Sequence, residues 1–242
     1  MRDRSARSRR SSSAFRPTSC RDPADRRLSS RARRRCCRAR GATSRCRGSR
    51  RHRFVPRRWA APRVVFVNSM SDLFHARVPD DFVRRVFDVM ADTPRHTYQL
   101  LTKRPKRLAR LAGTLPWPEN VWMGVSVEDA AQGWRADRLR EVPAAVRFIS
   151  AEPLLGPLDD LDLDGIDWLI AGGESGPNHR PVDSAWIDGL RDACSDAGVA
   201  FFFKQWGGRT PKAGGRLLAG RTFDEMPVAR MRWAQPVLAT QG

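Results

Sequence analysis

The first 63 residues have almost none of the residues that build a protein core. They contain no lysine or glutamate, and Met1, Leu28 and Val55 are their only methionine, leucine, isoleucine or valine. Because so little apolar surface cannot offset the conformational entropy lost on folding, we predict that residues 1–63 are disordered. This segment has 23 arginines and three aspartates, whereas residues 64–242 have 22 basic and 23 acidic side chains. The net charge of +19 therefore belongs to the first quarter of the chain, and the remainder is nearly neutral.

The Arg-rich segment is compatible with three origins. It can be a nucleic-acid-binding arm, whose arginines displace counterions from phosphates. It can be an organellar transit peptide, although the amphipathic periodicity of such peptides is absent. The third origin is a GC-rich gene translated in the wrong frame, which yields arginine without lysine. We favour the third origin, because a family resemblance described below begins where this segment ends.

The cysteines show no metal-binding pattern. The spacing of Cys20, Cys36, Cys37 and Cys46 contains neither the paired C-x-x-C of a zinc site nor the three-cysteine loop of an iron–sulfur site. We therefore predict unligated thiols. Cys194 lies in a helical pattern of apolar residues and is predicted to be a small buried hydrophobe.

The sequence has no signal-peptide hydrophobic region and no run of 18 apolar residues. We therefore expect a soluble, cytoplasmic protein without a membrane partner.

From Val64 onward, short apolar runs alternate with amphipathic stretches, as in repeated βα units. One helical face carries Phe82, Val83, Val86, Phe87 and Met90, and a second helix is marked by an N-cap at Asp183 and a C-terminal glycine at Gly198. The six predicted strands are Val64–Asn68, Thr97–Leu101, Val121–Val125, Val146–Ser150, Asp167–Ala171 and Val199–Phe203.

These strands are apolar enough to be buried on both faces, which indicates an α/β fold with a parallel sheet. A closed eight-stranded barrel needs roughly 250 residues, so an open or partial barrel or a doubly wound sheet fits better. The abrupt start after the Arg-rich segment also suggests that a first strand has been lost.

Polar residues follow every predicted strand. The carboxyl ends of parallel strands meet at one edge of a sheet, where α/β proteins bind ligands. At any single end, polarity has a purely structural explanation, because loops are polar and glycines permit tight turns. All six ends together mix carboxylates with cations, which suits a ligand that carries an amino group and a carboxylate or phosphate. The candidate ligand-binding residues, which we call the rim, are Asn68, Asp72, Lys103, Arg104, Ser126, Glu128, Glu152, Gly172, Gly173, Glu174, Ser175, Lys204, Gln205 and Trp206.

Several familiar motifs are absent. The run Gly172–Gly176 is neither a dinucleotide-binding nor a Walker motif, and no G-x-S-x-G nucleophile elbow occurs. The four histidines show no metal-ligand spacing, so we predict no metal site and assign no catalytic residue. Trp206, directly after a strand, is the candidate stacking platform.

Seven segments resemble a known family in the expected order. The chain is similar, over about residues 64–227, to phage-derived bacterial proteins labelled as phage gene-product thirty-seven/sixty-eight proteins, which carry a domain of unknown function. The matching segments are Val65–His75, Leu100–Pro105, Trp122–Glu128, Phe148–Leu155, Ile170–Gly176, Phe203–Gly207 and Gly220–Pro227.

The resemblance implies a partial βα barrel similar to that of radical S-adenosylmethionine enzymes. In such enzymes three thiolates hold a [4Fe–4S] cluster, whose open iron binds the amino and carboxylate groups of S-adenosylmethionine. The cysteine loop of the family precedes the segment that begins here at Val64, and residues 1–63 do not contain it. We therefore expect this chain to bind neither cluster nor cofactor and to be inactive, whatever its intact relatives do.

Three hypotheses for function follow. The first is a radical-SAM-like enzyme of unknown substrate, a small molecule or a nucleic acid, that has lost its cluster. The second is a nucleic-acid-binding protein that uses the Arg-rich arm without sequence specificity. The third is a non-catalytic, phage-associated interaction module. The predicted organisation is a disordered segment (1–63), a partial barrel (64–207) and a C-terminal extension (208–242).

Overall fold

The computed structural model describes residues 56–227, which form six strands and four α-helices. Each predicted strand is confirmed, with ends that differ by no more than two residues. In chain order the elements are β1 (Val64–Val67), α1 (Asp80–Ala91), β2 (Thr97–Thr102), α2 (Pro105–Ala112), β3 (Val121–Ser126), α3 (Trp134–Arg140), β4 (Val146–Ala151), β5 (Trp168–Gly172), α4 (Ser184–Ala197) and β6 (Ala200–Gln205). A short 3-10 turn, Ala130–Gln132, precedes α3.

All six strands lie in one parallel sheet, and their order in the sheet is their order in the chain. Each connection therefore returns to the neighbouring strand on the same side, which curls the sheet into half of a barrel. A doubly wound sheet would reverse its strand order at a switch point, and no reversal occurs among the described residues. The partial barrel is confirmed, and the doubly wound alternative is wrong.

One face of the sheet packs against the helices. Val121, Met123 and Val125 of β3 alternate along the strand and are completely buried in the core that the helices complete. The predicted stripe of α1 is confirmed, since Val83, Phe87 and Met90 enter the same core. Burying one such side chain contributes roughly 1.5–3 kcal/mol, so this layer stabilises the fold substantially.

The predicted signals of α4 are also confirmed. The Asp183 carboxylate accepts a 2.9 Å hydrogen bond from the backbone N–H of Ala185, and Gly198 ends the helix with a φ of +66°. Cys194 is fully buried, as predicted; burial, with a smaller contribution from the charge of Glu225, raises the pKa of its thiol to about 12. No helix within residues 56–227 has the length and apolar character needed to cross a membrane.

The opposite, concave face of the half-barrel carries aromatic side chains. Trp168 lies edge-on to Trp122 and Phe202, with ring centroids 6.1 and 6.0 Å apart, and tilted against Phe148 at 5.7 Å. Phe148 lies so close to the backbone of β3 that a Cβ at Gly124 would come within 2.4 Å of its ring. The glycine therefore makes room for the aromatic cluster.

Residues that precede β1 also contact the domain. The Arg95 side chain donates to the backbone carbonyls of Trp59, Arg57 and Pro56 at 2.8, 3.0 and 3.2 Å, and the Trp59 ring packs edge-on against His96. Residues 56–63, which we predicted to be disordered, thus pack against the turn that precedes β2. The rest of the Arg-rich segment, including Cys20, Cys36, Cys37 and Cys46, lies outside the described residues.

We expect Gly124→Ala to lower the free energy of unfolding by about 1–3 kcal/mol, because the added methyl group overpacks the buried Phe148 ring. Urea denaturation measures this change. Gly113→Ala is the matched control, since no atom lies within 4 Å of its Cβ position and its φ of −67° suits alanine. That variant should keep its stability or gain about 0.4–1 kcal/mol. Equal losses in both variants would contradict the packing argument.

Candidate functional site

Glu128 lies at the centre of a charge cluster at the carboxyl end of β3. Only 8% of this residue is exposed, and its carboxylate forms ion pairs with Lys103 and, at 2.9 Å, with Arg135. The Arg135 guanidinium also donates to the carbonyl oxygen of Ser126 at 2.7 Å. Burial would raise the pKa of Glu128, but the hydrogen bond from Lys103 and the charges of Lys103 and Arg135 outweigh burial and hold that pKa below its usual value. Glu128 is therefore ionised at neutral pH.

A second ion pair lies at the same edge of the sheet, between the carboxyl ends of β4 and β6. The ammonium group of Lys204, near the end of β6, contacts both carboxylate oxygens of Glu152 at 2.8 and 2.9 Å. The Lys204 side chain is 51% exposed and that of Lys103 is 57% exposed. Both lysines therefore reach solvent while they pair with a carboxylate that is more buried.

The strand register brings the two pairs to one place. Ser126 of β3 and Ser150 of β4 are register partners and both are buried. Glu128 and Glu152 each follow one of these serines by two residues, so they lie on the concave side of adjacent strand ends. Across the rim the order is Lys103, Glu128, Glu152 and Lys204. No hydrogen bond from either serine hydroxyl to another described residue is found.

Glu174, in contrast, binds within its own loop. The Arg180 side chain donates to both of its carboxylate oxygens at 2.7 and 2.8 Å, and the Arg180 backbone N–H adds a third hydrogen bond of 2.8 Å. These hydrogen bonds, with the positive charge of Arg180, lower the pKa of Glu174 to about 2. We infer that Glu174 holds this loop in place rather than binding a ligand.

The glycines after β5 permit close approach of two loops. A Cβ on Gly173 would lie 2.1 Å from the carbonyl oxygen of Trp206, and a Cβ on Gly207 would lie 2.1 Å from that of Glu174. Gly172 is at an irregularity of the β5–β6 pairing. The Gln205 amide donates to the Ser175 hydroxyl at 2.8 Å, which joins the same two loops. These contacts therefore fix the loops that follow β5 and β6, next to Lys204.

Asp72 also has a structural role. Its carboxylate accepts hydrogen bonds from the Thr102 hydroxyl, at 2.8 and 2.9 Å, and from the backbone N–H groups of Phe74 and Lys103, at 2.8 and 3.0 Å. These contacts fasten the loop after β1 to the end of β2. Asn68 begins that loop in the left-handed conformation, with a φ of +62°.

Two predicted rim residues stand apart from the ion pairs. Arg104 is exposed at the N-cap of α2. Its backbone N–H donates to the Thr102 hydroxyl at 2.9 Å, and that hydroxyl in turn donates to the rim residue Asp72. Trp206 is half-buried, packs edge-on against Phe203 at 4.8 Å and donates its indole N–H to the carbonyl oxygen of Leu217 at 2.8 Å. Its polar atom is thus already bonded within the protein.

Two arginines that neutralise rim carboxylates are not marked by any sequence pattern. Arg135 belongs to α3, seven residues after Glu128, and Arg180 lies in the loop six residues after Glu174. Glu128 lies in the loop after β3 whereas Arg135 lies in a helix, and Glu174 and Arg180 both lie in a loop, so no helix or strand periodicity joins these residues. Only the paths of the loops bring them together.

Two cavities of the described residues lie away from the rim. One, of about 620 Å³, lies near the start of β6 beside Cys194, Arg221 and Glu225, at the opposite end of the strands. The other, of about 250 Å³, lies between α3 and the loop that contains Asp160. Neither cavity is lined by a rim residue, and the rim is marked instead by its charged side chains.

The described residues do not form a metal or cluster site. No group of three histidine, cysteine or acidic residues suited to a metal ion occurs in the part of the chain that the structure describes. Cys194, on α4, is the one cysteine among residues 56–227, and its thiol is buried in the core. The three thiolates that a [4Fe–4S] cluster requires are therefore not supplied by residues 56–227.

The depressed pKa of Glu174 predicts a pH-dependent contribution to stability. Because the folded-state pKa lies near 2, the contribution is complete above about 4.5 and is lost as the pH falls through 2. We expect Glu174→Gln to lower the urea midpoint at pH 7, and the difference from the original chain to shrink between pH 4.5 and 2. Glu141→Gln, which removes an exposed pair with Arg138, is the control and should shift the midpoint little. A Glu174→Gln difference that does not vary with pH would contradict the ion-pair interpretation.

Comparison with known proteins identifies one family. The search of curated proteins and the search of solved structures found no match. A family described as "Protein of unknown function (DUF5131)" matches residues 17–227. The match ends at residue 227, as does the resemblance described above, but it begins 47 residues before Val64. It therefore includes most of the Arg-rich segment, which that resemblance leaves outside the family. Because it covers most of the chain, the protein belongs to this family of unknown function.

Proposed function

We propose that the rim binds a small zwitterionic molecule, one that carries an ammonium group and a carboxylate. The observation that supports this proposal is the arrangement of Lys103, Glu128, Glu152 and Lys204, two carboxylates flanked by two solvent-reaching lysines on one side of the sheet. A zwitterion offers a carboxylate to the lysines and an ammonium group to the glutamates. It can therefore exchange with the internal ion pairs without leaving a charge unpaired.

The distribution of burial favours binding over a purely structural role. An exposed ion pair adds about 0–1 kcal/mol to stability, whereas burying a carboxylate such as Glu128 carries a desolvation cost. The cost is met here by Arg135, which stays bound to Glu128 if Lys103 turns toward a ligand.

We further propose that the chain is a radical-SAM-like protein and that S-adenosylmethionine, whose methionine end is a zwitterion, is the ligand of its intact relatives. The resemblance of the seven segments and the parallel half-barrel support this assignment. When bound, a [4Fe–4S] cluster would supply the electron that cleaves the sulfonium. Because residues 56–227 do not fit such a cluster, we assign this chain ligand binding and no radical step. Its substrate class, a small molecule or a nucleic acid, and its association with phage are proposals of the same kind.

Binding of S-adenosylhomocysteine, a stable zwitterionic probe, tests the rim. We expect Glu152→Gln and Lys204→Met to weaken binding about ten-fold or more, since each removes a charge-assisted hydrogen bond. Isothermal titration calorimetry measures the affinity. Adenosine, which lacks the amino-acid group, should bind more weakly than the probe.

Glu141→Gln is the matched control, because it removes an exposed carboxylate that pairs with Arg138 at the end of α3. Its affinity should equal that of the original chain. Unchanged affinity in the rim variants, or no binding of the probe at millimolar concentration, would refute the proposed ligand site.

Anaerobic reconstitution with iron and sulfide tests the absence of a cluster. We expect no charge-transfer absorption and no EPR signal after reduction, because Cys194 is buried and the spacing of the other four cysteines lacks the three-cysteine loop of an iron–sulfur site. A signal that persists in Cys194→Ser but disappears in Cys36→Ser/Cys37→Ser would instead place the ligands in the Arg-rich segment. That result would overturn the proposal that this chain is inactive.

A further inference from the structure

The positive charge of the folded domain is concentrated at the start of α2. Residues 103–110 contain five cations, and no carboxylate occurs between residues 93 and 118. Residues 64–242 as a whole carry 22 basic and 23 acidic side chains, so this cluster is offset by acids elsewhere in the domain. A local excess of this kind gives one surface a positive potential although the domain is nearly neutral.

Two of the five cations are bound within the protein. Lys103 pairs with Glu128, and Arg107 pairs with Asp80 while donating to the carbonyl oxygens of His75 and Val78. The negative charge of Asp80 is thereby neutralised. The hydrogen bond from Arg107, with the positive charges of Arg107, Arg110 and Arg84, holds the pKa of Asp80 below its usual value. Asp80 therefore does not cancel the charge of the surface.

The other three cations are exposed, and no carboxylate among the described residues forms an ion pair with Arg104, Lys106 or Arg110. Lys106 and Arg110 are four residues apart on α2 and share one face of the helix. Two like charges so placed repel each other, and an anion bound between them relieves the repulsion.

An exposed aromatic ring adjoins this charge. Trp134, the first residue of α3, is 40% exposed, and the Lys106 ammonium lies 5.2 Å from the centroid of its ring. Cations that follow a phosphate backbone, beside an aromatic ring on which a base can stack, characterise sites for single-stranded nucleic acid. We call Arg104, Lys106, Arg110 and Trp134 the basic face.

We propose that the basic face binds single-stranded nucleic acid, with Arg104, Lys106 and Arg110 on successive phosphates and a base stacked on Trp134. The face adjoins the rim, because Arg104 directly follows Lys103. A bound strand would therefore pass beside the candidate ligand site. The basic face shares Arg104 with the predicted rim but includes neither ion-paired lysine, Lys103 or Lys204, and the proposal does not depend on the zwitterion site.

Binding of a fluorescent oligothymidylate to the full chain, measured by anisotropy over a range of salt concentrations, tests the basic face. The Arg-rich arm contributes equally to every variant, so differences between variants report the folded domain. Lys106→Glu/Arg110→Glu should weaken binding on the order of ten-fold near 0.1 M salt and reduce the slope of log K against log salt by about 1.4. Trp134→Leu should weaken it about five-fold or more through lost stacking.

Arg209→Glu/Lys212→Glu is the matched control, since it reverses two exposed charges in the loop after β6, at the far edge of the sheet. Circular dichroism melting checks that each variant is folded. Acetylation footprinting gives a local readout: the oligonucleotide should protect Lys106 several-fold and leave Lys212 reactive. Equal losses in the two double variants, or no protection of Lys106, would overturn the proposal. Equal protection of Lys106 by heparin, with no effect of Trp134→Leu, would also overturn it, because heparin has no bases to stack.

Discussion

The parallel hydrogen-bond register of the sheet is the constraint on which every other feature depends. Six strands paired in chain order place all carboxyl ends at one edge, and the alternation of side chains sends one set to the helices and the other to the concave face. The pairing of Ser126 with Ser150 then brings Glu128 and Glu152 side by side. A shift of one residue in that pairing would turn one of the two carboxylates away from the rim.

The rim separates into groups that hold the structure and groups that remain exchangeable. Asp72 and Glu174 have their oxygens bonded to nearby donors of the protein, and the glycines after β5 let two loops approach closely. Lys103 and Lys204 instead reach solvent and pair across the rim with carboxylates from other strands. Polar residues at strand ends thus serve both purposes, and hydrogen-bond partners distinguish them.

The net charge of the whole chain and the local charge of the folded domain have different origins. The large net charge belongs to the Arg-rich segment, whereas the folded domain is nearly neutral but uneven, with its positive excess at the start of α2. The concentration arises because α2 carries no acidic residue and the acids of the domain lie on other elements. An average over the domain conceals this surface.

The sequence by itself determined the six strands, the stripe of α1 and both caps of α4, because apolar periodicity, an Asp N-cap and a left-handed glycine are local effects of neighbouring residues. It also indicated the edge at which polar residues meet. The tertiary structure alone decided between a partial barrel and a doubly wound sheet, since strand order is not a local property. It likewise decided that Arg135 neutralises Glu128, that Arg180 binds the carboxylate of Glu174, and that residues 56–63 pack against the turn that precedes β2. Each of these contacts joins residues that do not share a helix or a strand, so only the path of the folded chain could bring them together.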